Sequence, residues 1–149
     1  MFRFVLRFLL MFSFVFANQS SHAGQSIQEL AGKWALDRAA STFGPGDPGA
    51  DLVEIEFSAD EVTVRRFYAA SPQASVWTLP LDGSAPPPPR RGSALIVDGQ
   101  LVITHARARE VVTHAYNLSG NTLLVNRSIQ SSDGDARSLK HTMVFKRVN

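Results

Sequence analysis

Between residues 92 and 147, apolar and polar side chains alternate in short runs broken by glycine-centred turns. A period of two marks half-buried strands. The pattern predicts strands at about residues 94–97, 101–107, 111–118, 123–129 and 137–147, parted by Asp98-Gly99, Ala108-Arg109, Ser119-Gly120 and Asp133-Gly134. Earlier in the chain it predicts a helical turn over 26–30 and strands at about 33–36, 52–58, 62–68 and 75–81. Residues 39–50 form a Gly- and Pro-rich loop, and Ala59-Asp60-Glu61 and Asp82-Gly83 are tight connections. Four consecutive prolines and two arginines at 86–91 favour a stiff polyproline II surface segment. Strands at this spacing, with no long helix, predict an all-β domain. Its form is a single antiparallel up-and-down barrel, or half-barrel, of about 8–9 strands.

Register follows from asking which pairing gathers apolar residues on one face. A two-residue turn at Ala108-Arg109 sets His105 against Val112, Ile103 against His114 and Leu101 against Tyr116. A turn at Ser119-Gly120 sets Tyr116 against Leu123, His114 against Val125 and Val112 against Arg127. The inner face then carries Leu101, Ile103, Val112, Tyr116, Leu118, Leu123, Val125 and Ile129, and in the last strand Leu139, Met143 and Phe145. Val53, Ile55, Phe57, Trp77 and Leu79 complete the expected interior, while Glu54 and Glu56 fall on a solvated edge.

Four polar residues share that apolar side: His105, His114, Arg127 and His141. A charge or imidazole inside a barrel needs a compensating partner. His105 and His114 are expected as diagonal neighbours with Cβ atoms about 7–8 Å apart. Three readings are open. The group anchors a small ligand together with Tyr116, three histidines hold a zinc or iron, or the side chains satisfy one another structurally. No two histidines lie at the i, i+2 spacing that draws two ligands from one strand, and the expectation is no metal and no cofactor.

The first 23 residues stand apart from the barrel. Arg3 and Arg7 precede an apolar run through Ala17, and Ser21-His22-Ala23 closes with small residues at its first and third positions. This is the three-part signature of a secretory signal peptide cleaved near Ala23, with the barrel domain at 24–149. The apolar run is about half the roughly 20 residues a membrane span requires. The expected location is the periplasm or the exterior, with no membrane span in the mature chain. Without Arg3 and Arg7 the chain holds 13 basic and 13 acidic residues, so a nucleic-acid partner loses its electrostatic basis. Residues 24–61 hold eight acids and two bases, and 62–149 hold five acids and eleven bases, which predicts oppositely charged strands meeting across one barrel. The absence of cysteine excludes disulfides, Cys-based metal sites and thiol catalysis. No Gly-x-Ser-x-Gly, His-Glu-x-x-His or phosphate-binding glycine loop occurs, so a non-enzymatic protein is expected.

Gly32-Lys33-Trp34, opening the first strand, resembles the lipocalin and calycin-like barrels, and the Asp-Gly turns resemble small exported bacterial lipocalin-like domains. The resemblance spans about residues 30–147. It implies structural roles for Gly32 and Trp34, with Trp34 at the closed end against a late arginine, either Arg127 or Arg147. It also implies binding of a small apolar or amphipathic ligand. A second resemblance, of Glu29-Leu-Ala-Gly-Lys-Trp34 to the start of periplasmic barrel inhibitors of metalloproteases, implies a protein partner met through loops 43–51 and 84–92. Those inhibitors typically carry a disulfide, which this chain lacks.

Overall fold

The computed structural model describes residues 26–44, 48–86, 92–107, 109–131 and 139–149. The expected signal peptide, most of the proline–arginine run and the expected turn at Asp133-Gly134 lie outside the described residues. A 3-10 turn at Ile27–Leu30 is followed by nine strands. They are β1 (Gly32–Leu36), β2 (Leu52–Phe57), β3 (Glu61–Phe67), β4 (Ser75–Pro80), β5 (Ser93–Val97), β6 (Gln100–Arg107), β7 (Glu110–Ser119), β8 (Thr122–Ser131) and β9 (Leu139–Val148). All neighbours are antiparallel, in the order β4-β3-β2-β1-β9-β8-β7-β6-β5, and the sheet curls into a nearly closed barrel. No helix among the described residues is long and apolar enough to cross a membrane.

Turn chemistry sets the registers. At Asp98-Gly99 both residues have positive φ, as a type I′ turn demands, and Val97 faces Gln100. The β6–β7 pairing is the one expected, with His105 opposite Val112 and Ile103 opposite His114. The β7–β8 pairing differs from expectation. Gly120 (φ 62°) occupies the first central position of a Gly120-Asn121 turn, so Ser119 faces Thr122. Tyr116 therefore meets Val125, and His114 meets Arg127. The correction is a slip of two residues, which leaves every side chain on its expected face.

The core runs along the inner face. Trp34, Ile55, Leu101, Ile103, Val112, Tyr116 and Leu123 are wholly inaccessible to solvent. Acidic β2 meets basic neighbours outside: Glu54 pairs with Lys33 at 2.9 Å, and Arg65 with Glu56 at 2.8 Å. Glu54 and Glu56 are on the outer face as expected, but β2 lies between β1 and β3 and is no edge.

The ring closes where β1 pairs with β9 and stays unzipped between β4 and β5. With nine alternating strands, the two edges run in the same direction, so an antiparallel ladder between them is geometrically excluded. One bridge between Asp82 and Leu95, with Gly83 N–H donating to the Ala94 carbonyl at 3.0 Å, joins the connecting segment to β5. That connection carries prolines 86–89, which have no N–H for a ladder.

After β1 the chain stays bound to β9. Asp37 N–H donates to the Val144 carbonyl, and Thr42 N–H donates to that of Thr142, both at 2.8 Å. Asp51 secures the return by accepting from the Arg38 guanidinium and, at 2.6 Å, from Ala69 N–H. These two bonds, that of Arg38 foremost, hold the Asp51 carboxyl below its ordinary value. A depressed folded-state value stabilises the fold above the unfolded value near pH 4, and the contribution disappears as pH falls through the folded value. Asp51 is more than a third exposed, so screening keeps the effect small. Asp51→Asn is expected to lower stability by about 1 kcal/mol at pH 7 and by nothing measurable near pH 2. Thermal unfolding at the two pH values checks this.

Candidate ligand-binding interior

At the closed end Trp34 is fully buried, and its indole N–H donates to the Leu30 carbonyl at 2.9 Å. The guanidinium of Arg147 lies 4.1 Å above the ring and donates to the carbonyls of Ala31 (3.0 Å) and Glu29 (2.6 Å). Of the two late arginines, Arg147 therefore covers the tryptophan and Arg127 does not. Gly32 makes room for it. Its φ is 129°, and a β-carbon there would lie 2.8 Å from Arg147 Nη1.

A polar layer occupies the interior toward the β6–β7 turn. The alternation Val62, Val64, Arg66 on β3 turns the Arg66 side chain inward, where only 8% of the residue stays exposed. Its Nη2 donates to the Tyr116 hydroxyl at 2.5 Å, and its Nη1 lies 3.4 Å from His114 Nε2. Its carbon centre sits 3.9 Å over the Trp77 ring, a cation–π contact. Trp77 meets His105 edge-on at 4.6 Å, and the rings of His105 and His114 stack at 5.7 Å, only 8° from parallel. Burial lifts the Tyr116 phenol above its ordinary value, while the Arg66 charge pulls it the other way.

The expected site residues divide into two neighbouring sets. His105, His114 and Tyr116 meet around Arg66 and Trp77. His105 and His114 are the diagonal neighbours that the alternation predicts, and their rings stack. Arg127 on β8 stands directly opposite both His114 on β7 and His141 on β9, forming a row across three strands. His141 is buried beneath the segment after β1, where a β-carbon at Gly44 would fall 1.8 Å from its Nε2. Among the described residues no group of three or more metal-ligating side chains is gathered, so the three-histidine metal alternative does not assemble. Arg66 is the member that sequence reasoning missed. Its parity with Val62 and Val64 was the available signal, and the adjacent Arg65, which does face solvent, obscured it.

Fold and interior together define a small, nearly closed up-and-down antiparallel β-barrel, with an apolar floor and a cationic, aromatic upper layer. No known protein family matches the sequence, and no curated protein matches it. Solved structures do resemble the fold. The wild-type fluorescent protein UnaG superposes with a TM-score of 0.60 at 18% identity, over 82% of this chain and 99% of that one. An abundant heat soluble (SAHS) protein from Ramazzottius varieornatus gives 0.61 at 11% identity, over 81% and 96%. The zebrafish ileal bile acid-binding protein complexed with cholic acid gives 0.56 at 16% identity, over 80% and 99%. At these identities the likeness is one of fold.

Proposed function

We propose that this chain is an exported, non-enzymatic barrel that binds a small amphipathic molecule through an acidic group. The observation that carries the reading is Arg66. A buried guanidinium requires a counter-charge or full hydrogen bonding. Among the described residues its partners are a phenol, an imidazole and an indole face, and the buried polar side chains Arg66, His105, His114 and His141 include no carboxylate. A ligand carboxylate or sulfonate would supply the missing charge, and the apolar inner face would take the hydrophobic body. His105, His114, Arg127, His141 and Tyr116 are the polar contacts assigned to this role, with Arg66 added at their centre. A calycin-type fold, which in one solved neighbour holds cholic acid, supports the reading. Export rests on the leader signature of residues 1–23.

Two measurements test it. Native mass spectrometry of freshly purified protein is expected to show a co-purifying small acid. Trp77, in contact with Arg66, is expected to report medium-chain carboxylates by its fluorescence, read in a Trp34→Phe background. Ligand-free protein with Trp77 emission indifferent to every carboxylate would sink the proposal. Capture of a specific protein partner, lost on deleting loop 84–92, would favour the interaction reading instead.

A further inference from the structure

The two halves of the barrel differ on the outside. On β1 to β4, outward positions carry Lys33, Glu54, Glu56, Glu61 and Arg65, and ion pairs join Lys33 to Glu54 and Arg65 to Glu56. On β5 to β8, the register turns alternate residues outward over Ser93–Val97, Gln100–Ala106, Val111–Ser119 and Thr122–Gln130. Among the described residues, none of those outward positions holds a charged side chain. A solvated surface is ordinarily about a quarter charged or more. The side chains present are short, and several bond within the wall: Thr104 with Thr113 at 3.3 Å, and the Thr142 hydroxyl to Asn126 Oδ1 at 2.9 Å. Toward β5 the wall becomes apolar, with Leu95 44% and Val97 47% exposed. Charge returns at its margins, with Asp98 in the β5–β6 turn, Glu110 at the start of β7 and Lys146 on β9. A neutral centre within a charged rim is the composition of a protein interface.

We propose that this wall is where two copies of the chain pair about a two-fold axis, forming a weak dimer. The occupant follows from charge. A two-fold contact sets the same patch against itself, so a charge near the axis would meet its own copy. A patch without charges avoids that repulsion, and Thr, Ser, Asn and Gln can each donate to, or accept from, the same residue types opposite. An acidic or basic partner would find no counter-charge here. A lipid surface would find neither the basic cluster nor the continuous apolar band that holds proteins on membranes. Size sets the strength. Strands about 4.8 Å apart and about eight residues long, at about 3.4 Å per residue, make a face of roughly 20 by 27 Å. That is roughly 500 Å² per copy and about 1,000 Å² in all, the lower limit for a specific pair. The wall is the convex side of the curled sheet, so the closest approach falls at its centre, on the small residues Thr104, Thr113 and Ala115. A dissociation constant of about 10–100 μM is expected for so small a contact. Because the wall lies outside the barrel, the pairing is independent of what the interior holds.

Sedimentation velocity between about 5 and 500 μM brackets that constant. The unaltered protein is expected to pass from monomer to dimer over the range, equally at low salt and at about 0.5 M salt, because no ion pair holds the wall. Ala115→Lys puts a cation at the centre and is expected to weaken the dimer at least about tenfold. Asn126→Asp, beside Ala115 in register, keeps the acceptor for Thr142, adds one charge per copy and is expected to weaken it likewise. Thr63→Lys places the same charge on the opposite side of the barrel, across from Glu56, and is expected to leave association unchanged. Thermal unfolding confirms that the variants fold; should Ala115→Lys fail to, Asn126→Asp decides alone. A protein still monomeric at about 500 μM overturns the proposal. So does a dimer that salt disperses, one that survives a folded wall variant, or one that Thr63→Lys breaks. A monomer that sediments with neutral phosphatidylcholine vesicles, and ceases to when Asn126→Asp is introduced, gives the wall to lipid and overturns it too.

Discussion

Trp34→Ala is expected to lower the free energy of unfolding by about 3–5 kcal/mol, the cost of emptying a fully buried indole site. For a domain of this size that corresponds to a fall in Tm of roughly 10–20 °C. The loss has three parts that separate experimentally. Trp34→Phe keeps most of the volume and removes the N–H donor to Leu30, which costs about 1–2 kcal/mol. Arg147→Ala removes the cation over the ring and two carbonyl contacts, and is expected to cost about 1–2 kcal/mol. Because the two side chains touch, a double-mutant cycle should show coupling of at least about 0.5 kcal/mol. Additive losses would mean that the stacked arginine contributes nothing through the tryptophan.

The second large effect distinguishes a binding site from a well-satisfied interior. Arg66→Ala strands the Tyr116 hydroxyl and is expected to destabilise by about 1–3 kcal/mol. Replacing both partners at once is different, because a buried charge and its polar neighbour are exchanged for apolar groups of similar shape. The double variant Arg66→Met/Tyr116→Phe is expected to be as stable as the unaltered protein or more so. Its affinity for acidic ligands is expected to fall at least 30-fold, from loss of charge-assisted bonds of about 2 kcal/mol or more. Equal thermal stability with lost binding identifies groups kept for a ligand. A drop of several kcal/mol in the double variant, with binding retained, would make Arg66 and Tyr116 structural.

How far the sequence reveals this interior depends on the range over which each signal acts. The inward faces of His105, His114 and His141 were legible because alternation is a property of each strand alone. The opposition of His114 and Arg127 was not. It turns on whether Ser119 or Gly120 opens the turn, and only the positive φ of Gly120 decides that. Strand parity similarly marks Arg66 as inward. Its meeting with Tyr116, 50 residues later, follows from closure of the barrel, which no local pattern encodes. The choice of Arg147 over Arg127 as the cover for Trp34 depends on the β1–β9 pairing and on the space left by Gly32. Thus the strands and their faces could be read from the chain, whereas the contacts spanning the ring could not.

The strand order carries a consequence for how the molecule is assembled. β9 follows the other eight described strands in the chain, yet it sits at the centre of the sheet, with four strands on either side. Until it exists, β1–β4 and β5–β8 are two separate meanders without a shared ladder. The closing bonds join residues 103 to 118 positions apart. Contacts that distant form late and slowly. The two meanders therefore have no shared ladder to close on until β9 joins them, which makes its docking the step that completes the barrel.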